Sequence, residues 1–311
     1  MYTEEIILAQ NDNIDLDKLK IAILNQDEKS CIESYVDTTR HIQEIEQLFR
    51  VFKCNLKLML EHYVLNNDDT VIRKKSFSFE ESDSIIINTL TINYLSSAKT
   101  LVESLENFLK INNRLLYENF KNECLSKTYD EKFSYRLLIR LRDFSQHGHL
   151  PIDVDCDGKY CFDLRKILLV PHFNHNKKLS SEMEEIEDQI LKKYAGFPKI
   201  VFTKLIAEFN FCVTKIYVSF FDKAESVLLN QIKSLKMLLK EHPSIIHKSW
   251  DSLNGFILYD DDDGIIHCFD PKGESMKMLL SFKDDASKIF KEEEKELKMF
   301  NSSMHLSEIG N

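Results

Sequence analysis

Glycine and proline are scarce, 7 and 5 in a chain of 311 residues. So few breakers leave little material for tight turns, which argues against a sandwich or barrel and for long uninterrupted helices. The seven cysteines (Cys31, Cys54, Cys124, Cys156, Cys161, Cys212 and Cys268) contain no C-x-x-C pair, are odd in number and are irregularly spaced. They read as free thiols of a reducing cytoplasm, and no metal or other cofactor is expected. No apolar run is long and clean enough for a membrane span. The most apolar stretch, Ile200 to Phe221, is interrupted by Lys204, Glu208 and Lys215 and reads as a buried bundle helix. The opening Met1-Tyr2-Thr3-Glu4-Glu5 is acidic and lacks the apolar core of a signal peptide. G-x-x-x-x-G-K-[ST], G-x-S-x-G and H-E-x-x-H are all missing, which leaves nucleotide-hydrolase, serine-hydrolase and zincin chemistry without support. Positive charge is also short. The net charge of −10 argues against a surface that coats nucleic acid and confines any such contact to a local basic site.

What is present is helical pattern. Residues 1–27 read as an irregular N-terminal segment with one amphipathic piece around Leu16 to Leu24. Residues 28–242 read as a helical bundle, and 243–311 as a hairpin plus a charged helix from Ser275 to Phe300. Within the bundle, Lys29 to Val64 and Ser82 to Leu109 carry apolar residues at three- and four-residue spacings, with Asn112-Asn113 as a break. A helix from Leu115 to Leu125, a polar break over Ser126 to Asp130, and a helix from Glu131 to His147 follow. Residues 70–79 alternate loosely, as a short strand would. Asp157-Gly158 predicts a hairpin near 152–164, and Asp260 to Gly264 a second one within Phe256 to Phe269. Ser180 or Ser181 caps an acidic helix ending at Gly196, and Pro198 sits in the first turn of the next helix, which reaches Lys240. The expected fold is mainly α, a bundle with two small β-hairpin additions.

The sharpest chemical signal lies in Phe133 to Pro151. Gly148 suits a left-handed position just past a helix end and Pro151 follows it, so His147 falls at a helix C-terminus, where the macrodipole favours a cationic ring. At 100° per residue, Phe133, Leu137, Leu141 and Phe144 share one face, and Arg136, Arg140, Asp143 and His147 an adjacent one. Asp143 precedes His147 by four residues, close enough to orient the ring. Four Lys/Arg against one Asp between Lys132 and His149 make a positive site on an acidic protein. The same residues also suit a plain helix end, with arginines complementing the dipole and His147 as a cap.

Arg-[Asn/Asp/His]-x-x-x-His at the end of a bundle helix resembles the motif of the HEPN family (higher-eukaryote and prokaryote nucleotide-binding domains). Arg142, Asp143 and His147 occupy its three positions. Gly148-His149-Leu150-Pro151 is similar to the His-x-x-Leu-Pro ending of one bacterial branch. The resemblance covers about residues 80–240, and beyond the motif it rests on helical pattern. It implies an antiparallel HEPN-like bundle and a metal-independent endoribonuclease of the toxin–antitoxin or phage-defence kind. It further implies a homodimer with the motif at its interface, RNA as substrate, and an antitoxin or regulatory protein as partner. Arg142, Asp143 and His147 would be catalytic, and Arg140, Arg136, Gln146 and His149 would hold substrate. The alternative is a non-catalytic RNA-binding, interaction or sensor module.

The chemistry suits these residue types. RNA carries a 2′-hydroxyl that can attack its own phosphodiester. Imidazole can take that proton, and a planar, permanently charged guanidinium matches the phosphoryl oxygens. On an ideal helix, however, Arg142 and His147 stand roughly 140° apart. Either the helix distorts near Gly148 or two protomers build the site. Other groupings read more plainly. His147, His149, Cys156, Cys161, His172 and His175 match no standard zinc spacing. Glu103 and Glu106 read as solvated carboxylates, Asp260 to Asp263 as a turn rather than a calcium loop, and Trp250 as an anchor for the C-terminal region.

Overall fold

The computed structural model of the chain describes residues 2–5, 20–67, 83–154, 160–170, 177–194, 199–242, 256–260, 264–269 and 281–295. The expected strand over 70–79, Cys156, His172, His175, Gly196, Pro198, Trp250 and Asp261 to Asp263 lie outside them. The fold is mainly α. Its helices are α1 (Gln26–Asn67), α2 (Asp83–Asn112), α3 (Arg114–Phe120), α4 (Lys127–Glu131), α5 (Phe133–Gln146), α6 (Leu164–Leu168), α7 (Lys177–Tyr194) and α8 (Phe202–Glu241), and residues 281–295 are also helical. A π-helical stretch, Lys121–Ser126, joins α3 to α4. The strands are β1 (Tyr2–Glu5), β2 (Lys20–Ile23), β3 (Asp153–Val154), β4 (Tyr160–Asp163), β5 (Lys199–Val201), β6 (Phe256–Asp260) and β7 (Gly264–Phe269).

The chain divides into two compact units. The first comprises residues 1–46 and 221–285. Its sheet has the order β2-β1-β6-β7, antiparallel throughout, with Tyr2 opposite Ile23 and Tyr259, and Phe256 opposite Phe269. Asn25 starts α1 with a reciprocal cap. Its Oδ1 accepts from the Asp27 and Glu28 amides at 3.0 Å each, while Glu28 Oε2 accepts from the Asn25 amide at 2.7 Å. Ile32, Tyr35, Ile42, Leu228, Ile232 and Leu235 are buried here.

The second unit comprises residues 47–220 and 286–311 and holds the candidate site. Its core is a ladder of rings contributed by several helices. Phe49 of α1 stacks on Tyr217 of α8 at 3.9 Å, and Phe52 on Tyr94 of α2 at 5.0 Å. Phe209 of α8 meets Tyr94 edge-on at 5.7 Å and stacks on Tyr135 of α5 at 5.8 Å. The half-buried cation of Lys53 sits over the Phe49 and Phe52 rings, 5.2 Å from each. It donates to Asn210 Oδ1, Thr214 Oγ1 and Glu293 Oε1. Burial lowers its pKa, and the Glu293 charge opposes that shift. A second sheet has the antiparallel order β3-β4-β5, with Asp153 opposite Cys161 and Cys161 opposite Val201.

Several expectations need correction. The N-terminal segment contributes two strands, β1 and β2, to a sheet with β6 and β7. The expected polar break over Ser126 to Asp130 is helical, because buried Cys124 and Thr128 hold the π-stretch and α4 against the bundle. Strand β5 precedes α8, and α7 begins at Lys177, ahead of both serines. Both expected hairpins form, as the β3–β4 and β6–β7 pairs. Among the described residues no helix is long and apolar enough to cross a membrane.

Candidate functional site

Helix α5 packs on α2 and is fixed by a buried stripe of Leu137, Leu138, Leu141 and Phe144. Each such side chain contributes on the order of 1.5–3 kcal/mol when removed from water. The helix ends as its sequence demands. His147 is the cap residue, with φ −89° and ψ 16°, and its amide donates to the Phe144 carbonyl at 3.2 Å. Gly148 then turns left-handed at φ +86° and donates to the Ser145 carbonyl at 3.1 Å. The chain beyond is clamped by buried Asn88 of α2. The Ile152 amide donates to Asn88 Oδ1 at 2.8 Å, and Asn88 Nδ2 donates to the Ile152 carbonyl at 2.9 Å. The segment from His147 to Leu150 is thereby pinned at both ends.

Arg142, Asp143 and Gln146 come together around this end. Arg142 NH1 donates to Gln146 Oε1 at 2.6 Å and to Asp143 Oδ1 at 3.3 Å. Lys99 of α2 donates its Nζ to the same Asp143 oxygen at 2.9 Å. The Asp143 carboxylate, read from the sequence as the group that orients His147, accepts from both Lys99 and Arg142. Burial alone would raise its pKa; the Lys99 bond and charge, followed by those of Arg142, outweigh burial and lower it. His147 is exposed at the helix end, and the His149 ring leans on Phe144 with centroids 4.8 Å apart. Arg140 is exposed.

Arg136 does not belong to this group. Its side chain is 2 % exposed, and its guanidinium grips Glu182 of α7 through Nε at 3.0 Å and through NH2 at 2.6 Å to both carboxylate oxygens. NH1 donates to the Tyr129 carbonyl, and the guanidinium lies over the Tyr129 ring. This corrects the expectation that it binds substrate: every edge of the cation is turned inward, where it ties α5 to α4 and α7. The missed residue is Lys99. It lies 44 positions from Asp143 on another helix, between Ala98 and Thr100, and no local motif marks it.

The remaining candidates fall elsewhere. Glu103 is exposed. Half-buried Glu106 lies near Tyr117, Lys110 and Lys121, and burial raises its pKa against the Lys121 charge. The buried Cys161 thiol contacts the Asp153 carbonyl at 3.6 Å. Among the described residues no group of three or more His, Cys, Asp or Glu side chains is placed to hold a metal ion. Compared with family models, curated proteins and solved structures, the chain matches none.

Proposed function

We propose that the end of α5 is the working half-site of a HEPN-type, metal-independent endoribonuclease that acts as a homodimer in the cytoplasm. The observation that carries the reading is the arrangement of the motif. His147 stands exposed on a helix end pinned by Gly148 and Asn88, and one turn back Arg142 is oriented by Gln146 and Asp143. A base and a permanent cation on a rigid element are what in-line attack by a 2′-hydroxyl requires. In the proposed step, His147 takes the 2′-hydroxyl proton and the 2′-oxygen bonds to the adjacent phosphorus. The bond to the 5′-oxygen breaks, and that oxygen leaves with a proton from solvent. Arg142 faces the charge gathering on the phosphoryl oxygens. The products are a 2′,3′-cyclic phosphate and a 5′-hydroxyl. Exposed Arg140 would meet a flanking phosphate, and His149, beside Phe144, a neighbouring nucleotide. Leu150, 47 % exposed next to the site, is an apolar side chain that a second copy would cover. A toxin or phage-defence effector of this kind needs a restraint, and an antitoxin or regulatory protein is the partner this reading calls for.

One observation favours a second reading, a non-catalytic RNA-binding or sensor module: Arg142 NH1 is already engaged by Asp143 and Gln146. A single experiment separates the two. Full-length protein is incubated in EDTA with single-stranded RNA and with its 2′-O-methyl counterpart, and product ends are read by mass spectrometry. The nuclease reading expects cyclic phosphate ends from the first and no cleavage of the second. Equal cleavage of both, or none of either, overturns it.

A further inference from the structure

The two cations of α2 and α5 meet on one oxygen atom. Lys99 Nζ lies 2.9 Å and Arg142 NH1 3.3 Å from the same Asp143 Oδ1, while Gln146 holds the guanidinium from the other side. A single anionic oxygen gripped by an ammonium and a guanidinium is the local geometry of a bound phosphate oxygen. The cluster is open to solvent: the side chains of Lys99, Arg142 and Asp143 are 26 %, 23 % and 36 % exposed. Arg142 Nε–H is buried with no partner among the described residues, a donor that an incoming anion would satisfy as the guanidinium turns from Asp143. Among the described residues Asp143 is the carboxylate that pairs with Lys99 and Arg142, so the seat without it carries two positive charges.

We propose that Lys99 and Arg142 form a two-cation seat for a nucleic-acid phosphodiester, and that Asp143 fills this seat until the phosphate displaces it. The proposal rests on the functional reading above and deepens it: it assigns a substrate contact to Lys99 and makes Asp143 an internal competitor. The two roles have opposite signs. Lys99→Gln and Asp143→Asn remove the same salt bridge, so a merely structural role would move both variants in the same direction. The seat requires Lys99→Gln to weaken phosphate binding and Asp143→Asn to tighten it.

The test is fluorescence anisotropy with a labelled 2′-O-methyl oligoribonucleotide, which binds without being cut, and with single-stranded DNA of the same sequence, on the full chain over a range of salt. Lys99→Gln is expected to weaken binding to both strands about fivefold and to reduce the salt slope by about one phosphate contact. Lys99→Arg should keep wild-type affinity, and Asp143→Asn should bind severalfold tighter. Wild-type affinity in Lys99→Gln, or weaker binding in Asp143→Asn, overturns the seat. The failures are separable. Binding that depends on Lys99 without cleavage of unmodified RNA keeps the seat and removes the nuclease. Cleavage that depends on His147 with binding indifferent to Lys99 does the reverse.

Discussion

Replacing either member of the Arg136–Glu182 pair tests whether Arg136 is a structural or a substrate-binding residue, and the two replacements should differ in size. Arg136 is 2 % exposed, whereas the Glu182 side chain is 30 % exposed. Glu182→Ala leaves a guanidinium inside the protein that, among the described residues, meets the carbonyl and ring of Tyr129 alone, and removing one partner of a buried ion pair costs about 3–5 kcal/mol. Water reaches Glu182, so the lower end, about 3 kcal/mol, applies. Arg136→Met keeps most of the volume and leaves a carboxylate that solvent can rehydrate, at a cost of about 1–2 kcal/mol. At roughly 2–4 °C per kcal/mol for a unit of this size, Glu182→Ala should melt about 6–12 °C lower and Arg136→Met about 2–8 °C lower. Urea unfolding and thermal melts of the full chain would read both. Two results would refute the argument. One is Arg136→Met costing as much as Glu182→Ala. The other is Arg136→Met losing RNA binding at unchanged stability, which would return Arg136 to the phosphate.

Three further outcomes follow from the geometry. Gly148→Ala meets no atom within 4 Å of the added carbon, so its cost is conformational alone. Forcing φ +86° on an L-residue should lower stability by about 1–2 kcal/mol, and Gly148→Asn should lose less by the same melts. Asn88→Ala strands the Ile152 amide and carbonyl in a buried setting and should cost about 2–3 kcal/mol in urea unfolding. The Asp143 pKa is lowered on folding, so its contribution to stability is full above the unfolded value of about 3.9 and is lost as pH falls through the lower folded value. Acid unfolding of Asp143→Asn should therefore show a shallower pH dependence below about pH 4 than wild type. Identical slopes would contradict the Lys99 and Arg142 pairing.

What could be read from the sequence was local. Gly148 announced the end of α5, Asn112-Asn113 the break between α2 and α3, and the Asp157-Gly158 and Asp260 to Gly264 sequences the β3–β4 and β6–β7 pairs. Each is a short-range device whose cause lies within a few residues. What was not legible was tertiary. Helical spacing put Arg136 on a face with Arg140, but only the approach of α7 decides that one is sealed by Glu182 and the other exposed. Lys99 carries no motif and joins Asp143 only because α2 packs on α5. Strands β1, β2 and β5 are three or four residues long, too short for alternation to show, and they exist through their partners' hydrogen bonds.

The central claim, that His147 is the base of a phosphodiester-cleaving site, meets its most direct test in one rate. The initial rate of single-stranded RNA cleavage in EDTA is compared between wild type and His147→Ala at matched folded concentration. The account predicts a fall of about 10²- to 10⁴-fold, the usual contribution of a positioned general base. Equal rates in the two proteins would contradict it.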